Sequence, residues 1–355
     1  MHILSVVVKH YYNLAESRKR QALEPMYLAF TDPIERMGHT VDHFDHLEAA
    51  QRKGPANWGD EFVDVVKKGG YDVVFFQTAC QKAEFVADAV REAARYSPIV
   101  AWNSDDDWAW EQSTRYLAPY FTFVFTTYPE IYRQNRAKYP NLRLSQWGCY
   151  DRFADFAQRK DLAFTFSGQI YAGRAAACRY LRQTAGLQVF GHMSGMVTQP
   201  RFLYWPGIRN VTHRFPSVYG APIPFEEMNA IWNRSRISYT PMEASASDQI
   251  LQVKSRTFEM GLSGTLMICK LSPHLDQYYQ PGKEFVAIEN LEDCVEKVRY
   301  YLSHESERAK IARAYHDRTK AEHLWQHRFE AIFRQIGLQR GPTTIHAREA
   351  SHGRK

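Results

Sequence analysis

At 355 residues the chain is longer than the roughly 250–300 at which one hydrophobic core stops growing, so two domains of about 150–180 residues are expected. Apolar residues at 45% and charged residues at 24% are ordinary globular values, which exclude intrinsic disorder for all but the last stretch. The net charge is +6, but Arg340, Arg348, Arg354 and Lys355 against Glu349 place +3 of it after residue 337, so the folded part suits a local anionic ligand better than a nucleic-acid track.

In chain order, residues 1–150 alternate short β-branched runs with helical patterns. The strand candidates are residues 3–8, 40–44, 71–76, 98–102 and 121–126. The third run ends almost wholly apolar, as a strand covered on both faces of a parallel sheet should. After a weakly patterned stretch at 151–162 the alternation restarts at Ala163, continues through 187–190 and 237–240, and reads helix for 256–262 followed by a strand at 265–269. Helices with apolar residues at i, i+4, i+7 and i+11 follow at Leu291, Val295, Val298 and Leu302, and again at Trp325, Phe329, Ile332 and Ile336. Asn290 is a plausible N-cap.

This order predicts two doubly wound, Rossmann-like α/β domains facing across a cleft: an amino-terminal domain at 1–155 and a carboxyl-terminal one at 156–320. A helix at 321–337 would pack back on the first domain, and residues 338–355 read as a disordered tail. Five cysteines stand at 80, 149, 178, 269 and 294 with no C-x-x-C, which argues against a disulfide framework or a zinc site and fits a reducing cytoplasm. The early apolar run is too short for a signal-peptide core, and no later run approaches 18 apolar residues.

Ligands of such folds sit outside the carboxyl ends of the strands, so the candidates there matter most. Phe166-Ser167-Gly168 ends a predicted strand in a glycine turn, with Arg174 near the start of the next helix. Backbone N–H groups at Gly168 and the Arg174 guanidinium could bind a phosphate. Lys254, Arg256, Thr257 and Glu259 cluster around a predicted helix start. The two cations and the first-turn N–H groups could neutralise a diphosphate, with the Thr257 hydroxyl among the small donors, while Glu259 could accept from ribose hydroxyls. On the other side, Asp105, Asp106 and Asp107 follow the fourth strand and could take a proton from an acceptor hydroxyl as general base. Aspartates in such clusters also cap helices. His10, just past the first strand, is a second candidate base. Asp42, His43, Asp45 and His46 put only two ligand types on each strand face, too few for a metal. Tyr171, Trp205, Tyr219 and Tyr239 could stack on a base or sugar, or simply fill the core.

The run S-R-T-F-E-M-G-L-S-G-T-L-M-I from Ser255, then Y-Y-Q-P-G-K-E-F from Tyr278 and L-E-D-C-V-E-K-V-R-Y-Y-L from Leu291, resembles the CgeB-like (spore-maturation type) glycosyltransferases of the GT-B superfamily. Asp105-Asp106-Asp107-Trp108 and F-T-T-Y-P-E-I-Y at 125–132 agree more loosely. The resemblance implies a metal-independent, retaining glycosyl transfer from a nucleoside-diphosphate sugar to a hydroxyl of a glycan, protein or small molecule. It implies no resident cofactor and places Arg174, Lys254 and Arg256 at the donor diphosphate with Glu259 at the ribose; the modest charge of the folded part argues against a nucleic-acid partner. Two features depart from it. Leu251 stands where an E-x7-E motif ending at Glu259 needs its first glutamate, Asp248 being the nearest acid upstream, and residues 9–13 lack the double glycine of many relatives. A sugar-nucleotide epimerase, or a catalytically inactive nucleotide- or glycan-binding module, is the alternative on the same architecture.

Overall fold

The computed structural model describes residues 1–10, 22–77, 85–170, 172–193, 223–244 and 250–338. Its first sheet holds six parallel strands: β1 (His2–Val6), β2 (Thr40–Phe44), β3 (Val73–Phe76), β4 (Ile99–Asn103), β5 (Phe123–Thr126) and β6 (Leu142–Leu144), in the order β2-β1-β3-β4-β5-β6. The second holds β7 (Leu162–Ile170), β8 (Gln188–Met193), β9 (Ser235–Tyr239), β10 (Leu266–Lys270) and β11 (Val286–Ile288), ordered β11-β10-β9-β7-β8 and again parallel throughout. The central strands β3 and β4 are buried at every residue, because helices cover both faces of a parallel sheet. The two three-residue strands β6 and β11 are too short to leave a period in the sequence.

One expectation about β7 needs correction. It does not end in a turn at Gly168: its ladder with β8 continues through Gly168↔Gly191 and Gln169↔His192 to Ile170↔Met193, and the next helix, Ala172–Ala185, opens only after that. The helix expected over 256–262 is also shorter, running Ser255–Glu259 and tightening into a 3-10 turn at Gly261–Ser263. Asn290 does cap the helix Leu291–Ser303, its side chain accepting from the Asp293 N–H at 2.8 Å.

The helix Glu305–Glu322 packs on the second sheet, and the chain then crosses to the first. The crossing is stitched by backbone bonds from Cys149 N–H to His323 O (2.7 Å) and from Trp325 N–H to Cys149 O (3.1 Å). Gly148 makes this possible, since a Cβ there would lie 2.8 Å from the Trp325 Cα. Beyond it the helix Trp325–Gln335 sinks Trp325, Phe329, Ile332 and Phe333 against Ile3, Phe30, Phe75 and Trp102 of the amino-terminal half. Among the described residues no helix is long and apolar enough to cross a membrane. Residues 339–355, with the expected tail, lie outside the described residues, as does Cys80.

Candidate active site

The three consecutive aspartates leave the carboxyl end of β4 and part company. Asp106 is fully buried and accepts from the Thr114 hydroxyl at 2.6 Å; burial pushes its carboxyl up to about 6. It anchors the turn from within and is not a group presented to the cleft, which corrects the expectation that all three face it. Asp105 keeps an open face, although the surrounding protein raises its carboxyl against the pull of Lys254. Asp107 is half-buried and also pushed up to about 6, by desolvation and the neighbouring Asp105 charge, with Lys254 and the Tyr128 hydroxyl working the other way.

Opposite stands the short helix Ser255–Glu259 with Lys254 at its N-cap position. Lys254 feels Asp105 and Asp107 of one sheet's loops and Arg174 and Arg256 of the other's; burial and the two guanidiniums bring its ammonium down to about 7. Arg256 lies over the Phe166 ring, 5.0 Å from guanidinium carbon to centroid. Its room comes from Gly168, where a Cβ would stand 2.0 Å from the Arg256 Nη2 and the backbone takes φ +131°. Gly168 therefore serves the approach of a side chain from within the fold, where the sequence suggested an approach of phosphate to backbone.

Arg174 is buried and donates to the carbonyls of Gln169 and Glu243, each at 3.0 Å. It stands as a fixed positive charge holding two segments together rather than as an open fork. Thr257 is completely buried; its N–H donates to Lys254 O at 3.0 Å and its carbonyl accepts from the Tyr315 hydroxyl. That removes its hydroxyl from the cleft, again against expectation. Glu259 is 9% exposed, and burial lifts its carboxyl to about 7 despite the Arg256 charge and a hydrogen bond from Ser255.

Between the two halves lies a cavity of about 410 Å³. Asp107, Tyr128, Glu130, Ile131 and Gln146 line it from one side, and Ile250, Leu251, Val253 and His274 from the other. Its rim is tied across by His274 Nε2 to the Glu130 carboxylate, and its back by the Gln146 amide donating to the Tyr278 hydroxyl at 3.3 Å. His274 holds a left-handed φ of +68° to make that contact.

A family model described as glycosyl transferase-like matches residues 153–334, more than half of the chain. The chain belongs to that family. Solved structures show the same two-domain GT-B fold. HepE from Anabaena, in complex with UDP and glucose, superimposes with a TM-score of 0.60 at 9% identity, over 96% of this chain and 100% of that one. An alpha-glucosyltransferase in complex with UDP-glucose and DNA gives 0.62 at 10% identity, over 95% and 99%. Sucrose-phosphate synthase from Thermosynechococcus elongatus gives 0.57 at 12%, over 95% and 99%. No curated protein sequence matches the chain.

The other candidates among the described residues do not line this cavity of the glycosyltransferase. His10 pairs through its backbone with Leu23 and does not line the cavity. Asp45 caps the helix His46–Lys53, His46 is buried beside Trp58 and Phe76, and Asp42 takes the Tyr71 hydroxyl. Among the described residues no three His, Cys, Asp or Glu side chains are grouped to hold a metal ion. Tyr239 is core, while Tyr171, Trp205, Tyr219, Asp248 and residues 11–13 lie outside the described residues. Tyr128, Glu130 and His274 escaped sequence reasoning. The Y-P-E run after β5 marks the first two, but nothing in a lone histidine of a loop marks the third.

Proposed function

We propose that this glycosyltransferase moves a sugar from a UDP-activated donor to an acceptor hydroxyl in the cleft, without a metal ion and with retention of anomeric configuration. The observation that carries the proposal is Lys254, a half-buried ammonium set among two guanidiniums and two carboxylates drawn from both domains. Three cations against two carboxylates leave an excess of positive charge in a partly desolvated place, and a diphosphate is an anion that offsets it. The choice of uridine leans on HepE and the alpha-glucosyltransferase, whose structures hold UDP or UDP-glucose on the same fold. The retaining course and the CgeB-like subgroup lean on the residue 254–302 resemblance alone. A cytoplasmic setting accords with the four described cysteines, all buried free thiols.

In the step so proposed, the acceptor oxygen bonds to the anomeric carbon on the same face from which the diphosphate oxygen departs, as that carbon's bond to it breaks, which is what retention in a single displacement requires. The electron pair leaves with UDP, where Lys254 and Arg256 offset the growing charge, Arg174 adds a fixed positive potential behind them, and Glu259 accepts from the ribose. The acceptor's proton passes to Asp107, a residue that borders the cavity and stands within reach of Lys254's field, its two carboxylate oxygens being shut off from solvent and without a hydrogen-bond partner among the described residues before an acceptor arrives. The two cations supply the electrostatic stabilisation that a divalent ion gives in other transferases.

A melting assay tests this. UDP should raise the Tm of the native protein, and Lys254→Ala or Arg256→Ala should each weaken UDP binding about tenfold or more, since a charge-assisted hydrogen bond is worth about 1.5–3 kcal/mol. An unchanged UDP shift in both variants would remove them from the donor site.

A further inference from the structure

We infer that the cavity beside Asp107 receives an uncharged acceptor with an apolar body next to its hydroxyl, such as an aryl or alkyl glycoside, and rejects phosphorylated sugars; this rests on the donor reading above. Its far wall is aliphatic, made by Ile250, Leu251 and Val253 and faced by Ile131. The wall is built in advance. Ala244 N–H donates to Ile250 O at 2.7 Å and Gln252 N–H to Met242 O at 2.9 Å, so the segment is zipped antiparallel to residues 242–244. Arg174 holds the same short strand by the Glu243 carbonyl, coupling the wall to the donor side.

The charge pattern sets what can enter. Among the described residues no Lys or Arg lines the cavity, and the charged groups that do are the carboxylates of Asp107 and Glu130. Two groups beside the rim can carry a positive charge, and both already face Glu130: Arg133 Nη2 donates to its carboxylate at 3.0 Å, and His274 contacts it through Nε2 while taking Gln277 on Nδ1 at 3.0 Å. A phosphate placed here would meet two carboxylates whose neighbouring cations, Arg133 at Glu130 and Lys254 near Asp107, already face them, whereas a neutral ring or chain would cover aliphatic surface. Two of the large hydrophobic side chains left open to solvent, Ile250 at 40% and Leu271 at 48%, stand in this part of the molecule, one in the wall and one two residues before Pro273, which lines it. A volume of about 410 Å³ admits a molecule of two small rings.

Binding of phenyl β-glucoside, glucose and glucose 6-phosphate, followed by calorimetry and saturation-transfer NMR with and without saturating UDP, tests the inference. Phenyl β-glucoside should bind at least tenfold more tightly than glucose, and glucose 6-phosphate no better than glucose. Leu251→Ala should reduce the phenyl preference several-fold, and Ile250→Asp, at an already exposed position, should do so without disturbing the fold. Equal affinity for phenyl β-glucoside and glucose, no binding of phenyl β-glucoside, or tighter binding of glucose 6-phosphate would each overturn it. UDP binding is scored separately, so its absence would sink the donor reading without touching the acceptor preference.

Discussion

Two neighbouring groups in the cleft have been pushed toward each other on the pH scale. Asp107, held up at about 6, is an effective base only above that value, and Lys254, held down at about 7, is cationic only below it in the unliganded protein. For kcat/KM, which reports the free enzyme, both required forms coexist only in a narrow window, so its pH profile should be a bell with limbs near 6 and 7. In kcat the alkaline limb should move upward, because bound diphosphate favours the charged ammonium. Asp107→Asn should lower kcat by about 10²–10⁴ while leaving the UDP melting shift in place, and Asp106→Asn should act on stability instead. A flat kcat/KM between pH 5.5 and 8 would argue that neither group takes part in the chemistry. The ordering of these roles rests on partners and position: Asp106 is fully buried with Thr114 as its partner, while Asp107 borders the cavity with both carboxylate oxygens unpartnered among the described residues.

At the scale of elements, β7 and the Ser255–Glu259 helix depend on one missing side chain. Gly168 is the seventh residue of a nine-residue strand and has φ +131°, a region essentially reserved for glycine, and the space a Cβ would use is occupied by the Arg256 guanidinium. Gly168→Ala should therefore cost about 1–3 kcal/mol of stability for the backbone alone and also weaken UDP binding by displacing Arg256. In an Arg256→Ala background the second effect should vanish and the first remain, which chemical denaturation and the UDP titration together would separate. The same glycine shows how far the sequence could be read. Alternating apolar runs, 3.6-residue stripes and the Asn290 cap carry local signals, so both sheets and the carboxyl-terminal helices were legible from it. Lys254, Arg256 and Glu259 were legible as a cluster because they are adjacent in the chain. What Gly168 makes room for was not, since a turn glycine and a strand glycine look alike until a residue 88 positions later is brought beside it. Nor was the burial of Asp106 and Thr257, which depends on Thr114 and Tyr315 packing from other elements.

For the molecule as a whole, the question is which contacts set the cleft's width. The crossing helix buries Trp325, Phe329, Ile332 and Phe333 on the first domain, and removing one large aromatic from such a core costs about 3–5 kcal/mol. The rim contact of Glu130 with His274 is different in kind. Side-chain exposures of 45% and 19% leave it partly wet, and pairs of that sort contribute about 1 kcal/mol or less. Burial of Glu130 would raise its carboxyl, yet the His274 hydrogen bond, its own backbone and the nearby Arg133 charge outweigh that and hold it below the ordinary range, so what the charged carboxylate contributes is present above that range and is lost as pH falls through it. The crossing at 323–325 therefore joins the domains through a buried aromatic core, while the rim contact adds a weak tie that domain opening would have to break. Phe329→Ala should lower global stability by about 3–5 kcal/mol and reduce expression or Tm. Glu130→Gln should leave stability within about 1 kcal/mol but shift the open–closed balance by up to about fivefold, visible as a larger radius of gyration in solution scattering and a few-fold rise in the KM for donor, with UDP restoring the compact form. If Glu130→Gln scatters identically to the native protein with and without UDP, the rim contact has no hold on closure, and the width of the cleft is set by the aromatic crossing alone.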